Sequence, residues 1–194
     1  MSSSNLSASN LHSIAGMEAL KDFTLSLHTI EGLPGAELAS MKLERLCLQC
    51  SVLDSAGLLH SLFSGSTISQ TLVTFEMRAY NITTPIDDDQ VAVALASCHN
   101  LKKLFVNLGE DICLFGRNGL AGLQAMATGC PLLADVFLNL SASAVHYVGT
   151  HFTNLTKCAF YKNRAAAAPT PSESFPSVEE LRTLYPEVEW AYFD

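Results

Sequence analysis

Two stretches of the chain decide its fold: Ala96-Ser-Cys-His-Asn-Leu-Lys-Lys-Leu-Phe-Val106 and Thr128-Gly-Cys-Pro-Leu-Leu-Ala-Asp-Val-Phe-Leu138. In each, a leucine is followed by apolar residues three and five positions later, and a cysteine lies three positions before it. The same leucine spacing occurs in six segments: Leu20-Phe23-Leu25, Leu43-Leu46-Leu48, Leu72-Phe75-Met77, Leu101-Leu104-Val106, Leu133-Val136-Leu138 and Leu155-Cys158-Phe160. Their first leucines are 23, 29, 29, 32 and 22 residues apart, so the sequence contains a repeat.

Each repeat combines a strand pattern with a helix pattern. The alternating apolar residues after each leucine predict a short strand, and the connecting segments place apolar residues at intervals of three and four. We therefore expect return helices over 55–63, 88–98, 119–128 and 144–152, and a weaker one over 33–41. Such a unit can cover its apolar face only by stacking on its neighbours. The sequence predicts an α/β solenoid with about six parallel strands on its concave face.

The chain divides into an array, a linker and a cap. Residues 1–164 form the array, whose first repeat is incomplete because its return helix, with Leu6, Leu11, Ile14 and Met17, has no strand of its own. Residues 165–174, rich in alanine and proline, read as a linker. Residues 175–194 are predicted to be a C-terminal cap: Ser177-Val-Glu-Glu180 is a capping box that begins a helix to about Tyr185, and Val188, Trp190 and Tyr192 alternate as a strand.

The spacing resembles the leucine-rich repeats of the ribonuclease-inhibitor-like superfamily, and most of all the cysteine-containing repeats of F-box proteins. The resemblance covers roughly residues 10–163. It implies a leucine-rich-repeat solenoid that binds proteins, and more specifically the substrate-recognition part of a ubiquitin-ligase receptor. The pattern departs from the family, because the Asn or Cys expected nine residues into each repeat is found only as Asn163, with Cys50 one place early. We expect no F-box, since it needs several dozen residues before the first repeat.

Composition restricts the partners and the compartment. Eleven Lys and Arg residues against nineteen Asp and Glu residues give a net charge of −8. This argues against nucleic acid and anionic membranes as partners, because both attract basic surfaces. The sequence has no run of 18 apolar residues and no secretory signal at its start, so a cytoplasmic or nuclear location is expected. The six dispersed cysteines are expected to be reduced and mostly buried.

Motifs that could carry chemistry are weak. Cys47-Leu-Gln-Cys50 has CxxC spacing, but zinc would need two further ligands, and a redox site would need a helix N-terminus where a strand is predicted. His146 and His151 are five apart rather than the four that place two ligands on one helix face. Asp87, Asp88 and Asp89 are expected to be the solvated start of a helix. The sequence therefore predicts no cofactor, no metal site and no enzyme, although a triad assembled from distant residues stays an alternative.

Strand alternation predicts which side chains point out of the sheet on its concave face. The first row across six strands is Asp22, Arg45, Thr74, Lys103, Asp135 and Lys157. The middle row is Thr24, Cys47, Glu76, Phe105, Phe137 and Ala159, and the third is Ser26, Gln49, Arg78, Asn107, Asn139 and Tyr161. In the first row, ion pairs are expected between Asp135 and its two lysine neighbours and between Asp22 and Arg45.

Phe105 and Phe137 are adjacent in the middle row, where an exposed aromatic pair suits a protein anchor. Their expected rim is polar and aromatic: Tyr161, Glu76, Arg78, Asn107, Asn139, Lys103 and Asp135. These observations predict a noncatalytic protein-interaction module that binds its partner on this face. The Leu20 strand, left at the edge, offers another place where a chain could pair. The alternative is that the long return 108–118 folds over the two rings and buries them.

Overall fold

A computed structural model describes residues 13–14, 16–30, 38–53, 57–82, 88–108, 115–116, 119–161 and 175–193 of the 194. The proposed linker 165–174 lies outside these residues, and so do Leu6, Leu11 and most of the weak helix expected over 33–41.

The described strands form one seven-stranded sheet that is parallel throughout. The strands lie in the order of the sequence, so each pairs with the strand of the next unit. They are β1 (Asp22–Ile30), β2 (Arg45–Leu53), β3 (Thr74–Ile82), β4 (Lys103–Asn107), β5 (Asp135–Asn139), β6 (Lys157–Tyr161) and β7 (Glu189–Phe193). The six predicted strands are all present, and the strand expected after Pro186 adds to the same sheet as a seventh.

Helices connect the strands close to where the periodicity predicts them. They are α1 (Gly57–Phe63), α2 (Thr67–Thr71), α3 (Asp88–Leu95), α4 (Ala121–Gly129), α5 (Ala142–His151) and α6 (Val178–Leu184). The sequence patterns did not predict α2, which Ser66 begins by accepting a hydrogen bond from the amide of Ser69. None of the described helices has the length and apolar character needed to cross a bilayer.

The core lies between the sheet and the helices. The leucine that starts each unit and the residues three and five later are at most 5% exposed from the second unit to the sixth. Only the first unit differs, since Leu20 and Phe23 are partly buried there. Helical side chains such as Leu62, Leu95 and Met126 complete this apolar cluster. We call the side of the sheet that packs against the helices the covered face.

One hydrogen-bond pattern recurs at every junction from β1 to β6. The carbonyl of the residue after the unit's leucine accepts two amide N–H groups from the next unit. The five accepting carbonyls belong to Lys21, Glu44, Val73, Lys102 and Ala134, and all ten distances lie between 2.8 and 3.1 Å. Because the same atoms bond in each unit, the strands enter the sheet in one fixed register.

The corners between helices and strands also repeat. Asn100 donates through its Nδ2 to the carbonyl of Gln70 at 2.7 Å, and Asn154 donates to the carbonyl of Pro131 at 2.6 Å. Both asparagines precede the leucine of their unit, and both carbonyls lie two residues before the leucine of the preceding unit. Each asparagine therefore links the helix–strand corner of its own unit to the corner of the preceding unit.

The C-terminal elements extend the sheet. Ser177 and Glu180 form the predicted capping box, with the Ser177 amide donating to Glu180 Oε2 at 2.7 Å. The strand β7 then pairs with β6 from Lys157↔Glu189 to Tyr161↔Phe193. A Cβ on Gly149 would lie 2.8 Å from the ring of Tyr185, so the absence of a side chain there lets the C-terminal segment approach α5 closely.

Candidate partner-binding face

The three predicted rows are aligned on the sheet face opposite the helices, which we call the open face. Strand pairing places Asp22, Arg45, Thr74, Lys103, Asp135 and Lys157 in one line, and β7 extends it with Glu189. The middle row is aligned in the same way and ends at Ala191. In the third row, pairing continues from Ser26 to Asn107, and Asn139 pairs with Tyr161.

Phe105 and Phe137 form a stacked pair at the centre of the open face. Their strands pair at these two residues, the ring centroids lie 4.2 Å apart, and the ring planes differ by 9°. Both side chains are half-buried. The alternative expectation, in which the return 108–118 folds over the rings and buries them, falls on a segment of which the structure describes Leu108, Phe115 and Gly116. Of that return, 109–114 and 117–118 lie outside the described residues.

Arg78 extends the aromatic pair across β3. Its Cζ lies 4.6 Å from the centroid of the Phe105 ring, a cation–π distance. Its Nη2 lies 3.9 Å from Glu76 Oε2, and Nη2 of Arg45 lies 2.7 Å from Glu76 Oε1. The Glu76 carboxylate is thus shared by two guanidinium groups, and that of Arg78 lies on the aromatic stack. We call Arg45, Glu76, Arg78, Phe105 and Phe137 the central strip.

The predicted ion pairs of the first row are wrong. Arg45 binds Glu76 on the neighbouring strand rather than Asp22, and Lys157 binds Glu189 of β7 at 3.2 Å rather than Asp135. Among the described residues, neither lysine beside Asp135 forms an ion pair with it. Arg45 reaches a diagonal partner, because Glu76 lies two residues beyond its opposite residue Thr74, and long side chains span that distance. Lys157 pairs with the directly opposite Glu189 of β7, a strand that the three predicted rows did not include.

Asn139 was expected on the rim, but it is only 2% exposed. Pairing between β4 and β5 ends at Phe105↔Phe137, and the chain returns at Phe115 beside β5. The Phe115 amide donates to the Asn139 carbonyl at 2.8 Å, and the Phe115 carbonyl accepts from the Ser141 amide at 3.0 Å. This unit is the longest, with its leucine 32 residues from the next. Its extra residues add a bridge between Phe115 and Leu140 where the third row was expected to continue.

The other predicted rim residues surround the central strip. Asn107 is half-buried beside Arg78, and Lys103 is exposed between Thr74 and Asp135. Tyr161 follows Asn139 in the third row by backbone register. Its side chain lies outside the described part of the structure.

Arg45 is the residue of the strip that the predicted site lacked. The prediction placed it in the first row and assigned it to Asp22, although it lies one strand from Glu76 on the same face. Diagonal pairing between rows was the signal that could have identified it. Cys47 is also closer to this cluster than expected, since it is 3% exposed and its Sγ lies 3.9 Å from Glu76 Oε2.

The thiols are buried and unlinked. All five described cysteines are free, and the burial expected for most of them is confirmed for Cys47, Cys50, Cys98, Cys130 and Cys158. Cys113 lies outside the described residues. Alternation along β2 places Cys47 and Cys50 on opposite faces, so the CxxC spacing does not bring their sulfur atoms together. Desolvation raises the pKa of Cys50 to about 11 and that of Cys130 to about 12.

The remaining candidate ligands are dispersed. His151 Nδ1 lies 3.2 Å from the Tyr147 carbonyl, and His146 Nδ1 lies 3.4 Å from the Tyr185 hydroxyl. Asp89 accepts a hydrogen bond from the amide of Gly122 at 3.1 Å, which links α3 to the start of α4. Within the described ranges, no three His, Cys, Asp or Glu side chains are grouped so that they could hold a metal ion.

Comparisons with protein-family models, curated proteins and solved structures give no match to this chain.

Proposed function

We propose that this protein is a noncatalytic leucine-rich-repeat module that binds a protein segment on the open face, with Phe105 and Phe137 as its anchor. The open face would be the concave side of a solenoid. The cytoplasm or nucleus is the proposed location, since five buried free thiols suit a reducing compartment.

The repeat assignment is supported by more than leucine spacing. The two-donor carbonyl pattern recurs at five successive junctions, and the asparagine links recur at two corners. Units that bond through equivalent atoms, and bury equivalent side chains, have the nearest-neighbour architecture of repeat proteins.

The stacked pair is the observation that carries the functional proposal. Sheet faces exposed to water are normally polar, but this one has two adjacent aromatic rings at its centre, next to an arginine and a shared carboxylate. Aromatic and arginine side chains surrounded by polar residues are the composition of interface hot spots. A partner that covers the rings would remove apolar area from water.

Affinity purification from the cells that express the protein tests this proposal. The wild type is compared with Phe105→Asp/Phe137→Asp and with Val93→Asp/Leu184→Asp. The control pair places two aspartates on exposed apolar positions of α3 and α6, where the side chains are 49% and 58% exposed. Circular dichroism first establishes that all three proteins fold. We expect partners to be lost only from the open-face variant, and identical partner sets for all three proteins would refute the proposal.

A second candidate is the substrate-recognition part of an F-box-type ubiquitin-ligase receptor. The corner cysteines favour it, because Cys98 and Cys130 precede the strand leucines as in the repeats that the sequence resembles. Both are buried, and Cys130 Sγ lies 3.1 Å from the Leu95 carbonyl of the preceding unit. Recovery of a Skp1-type adaptor with the wild type, together with substrates that the open-face variant loses, would favour this candidate over a general interaction module.

A further inference from the structure

We infer that the partner segment is acidic, with an aspartate or glutamate close in sequence to a large apolar side chain. This inference rests on the proposed function, because it names the chemistry of the segment that the open face would take.

Three neighbouring strands of the open face carry an excess of positive charge. The outward side chains of the three rows on β2, β3 and β4 include three cations, Arg45, Arg78 and Lys103, and one carboxylate, Glu76. This part of the face therefore has a net charge of +2, in a chain whose net charge is −8. Asp22 on β1 and Asp135 on β5 lie on either side of it in the first row.

The cations remain accessible to a partner. The side chains of Arg45 and Arg78 are 52% and 41% exposed although both lie at Glu76, whose side chain is 21% exposed. The single negative charge of the half-buried Glu76 carboxylate cannot neutralise two guanidinium groups. A guanidinium also has five N–H donors, more than one ion pair uses. A second carboxylate, supplied by the partner, would complete the charge balance at this position.

The apolar requirement comes from the neighbouring rings. Arg78 Cζ lies 4.6 Å from the centre of the Phe105 ring, and that ring stacks on Phe137 at 4.2 Å. A segment whose carboxylate binds Arg78 therefore has its adjacent residues over the aromatic pair. Acidic side chains also direct the segment to this part of a protein that is otherwise negative, since complementary charge controls encounter and orientation.

Selection from a phage-displayed library of random peptides on the full chain tests the inference. Selected sequences are synthesised, and their affinities are measured by fluorescence anisotropy for the wild type and for Arg45→Gln, Arg78→Gln and Lys103→Gln. Arg182→Gln is the matched control, because Arg182 is exposed on α6. The Phe105→Asp/Phe137→Asp variant reports whether binding occurs on the open face at all.

We expect the selected peptides to combine Asp or Glu with an aromatic or large aliphatic residue. Arg78→Gln should weaken their binding about tenfold, and the two more exposed substitutions about threefold each, with no change for Arg182→Gln. Replacing the peptide's Asp or Glu by Asn or Gln should weaken binding by a similar factor. The difference in affinity between the acidic and the amide peptide should become smaller in high salt.

Two results would overturn the inference in distinguishable ways. Peptides that need Phe105 and Phe137 but have no acidic residue, and that bind the glutamine variants normally, would contradict the acidic partner and leave the proposed function intact. Failure to select any peptide sensitive to the Phe105→Asp/Phe137→Asp substitutions would contradict both.

Discussion

The two faces of the sheet use phenylalanine in opposite ways. Phe75 on the covered face of β3 is fully buried and meets Phe63 edge-on at 5.0 Å. Phe105 on the open face of β4 is half-buried and stacks flat on Phe137. On the covered face, the repeat spacing determines each position, and every unit from the second to the sixth places a buried apolar residue there. On the open face, the outward side chains differ from strand to strand, so the residues specific to this protein's function are expected there.

The largest difference between the two faces is expected when one phenylalanine ring is removed from each. Phe75→Ala should lower the free energy of unfolding by about 3–5 kcal/mol, because it leaves a cavity in a closed core. Phe105→Ala should cost only about 1–1.5 kcal/mol, since a half-exposed stack loses little more than ring contact. Urea unfolding followed by circular dichroism measures both. Equal losses would mean that Phe105 belongs to the core, as Phe75 does.

A smaller effect is expected where two covered-face helices touch. A Cβ on Gly129 at the end of α4 would clash with the backbone carbonyl of Ala96 in the preceding unit. Gly129→Ala should therefore destabilise the protein by about 1–3 kcal/mol, although alanine is the better helix former. Thr128→Ala, one residue earlier and exposed, should change stability by less than about 0.5 kcal/mol. A stabilised Gly129→Ala protein would show that neighbouring units pack less closely there.

The asparagine corners should each contribute about as much as one hydrogen bond. Asn100→Ala and Asn154→Ala are each expected to cost about 1 kcal/mol, with near-additive losses in the double variant because a whole unit lies between them. Lys102→Ala, at an exposed position two residues after Asn100, serves as the control. A strongly non-additive double variant would indicate that the corners act as one network rather than as repeated links.

The buried thiols predict how stability changes with pH. The unfolded Cys130 thiol loses its proton above pH 9, whereas burial keeps it protonated in the folded protein, where its pKa is about 12. The unfolded state therefore gains stability from ionisation, and the protein should be about 1 kcal/mol less stable at pH 10 than at pH 7 from this group alone. Cys130→Ser keeps a donor for the Leu95 carbonyl and removes the ionisation. Its loss between the two pH values should be smaller than that of the wild type, and an equal loss would contradict the assignment.

The sequence was sufficient for the covered face. Leucine spacing predicted all six strands, their parallel order and their register, because a one-residue slip would expose every buried side chain. It also predicted the capping box at Ser177. The α/β class follows from these elements, while the assignment to leucine-rich repeats remains our proposal. The short α2 was missed because five residues are too few for a helical period to be recognised.

The open face was only partly predictable. Rows followed from alternation, and the adjacency of Phe105 and Phe137 followed from the rows. The ion pairs did not follow from the rows, because the long Arg45 side chain can reach carboxylates on several neighbouring positions and binds Glu76. The burial of Asn139 depends on where the chain returns at Phe115, which is a property of one long unit rather than of the repeat.

Site-specific photocrosslinking determines whether a partner lies on the open face. A photoreactive phenylalanine analogue is placed at Phe105 in one protein and at the exposed helical position Val93 in another, and both are irradiated in the cells that express the chain. We expect crosslinked protein partners from position 105 and none from position 93. Crosslinks only from position 93, or none from either position, would contradict a binding role for the open face.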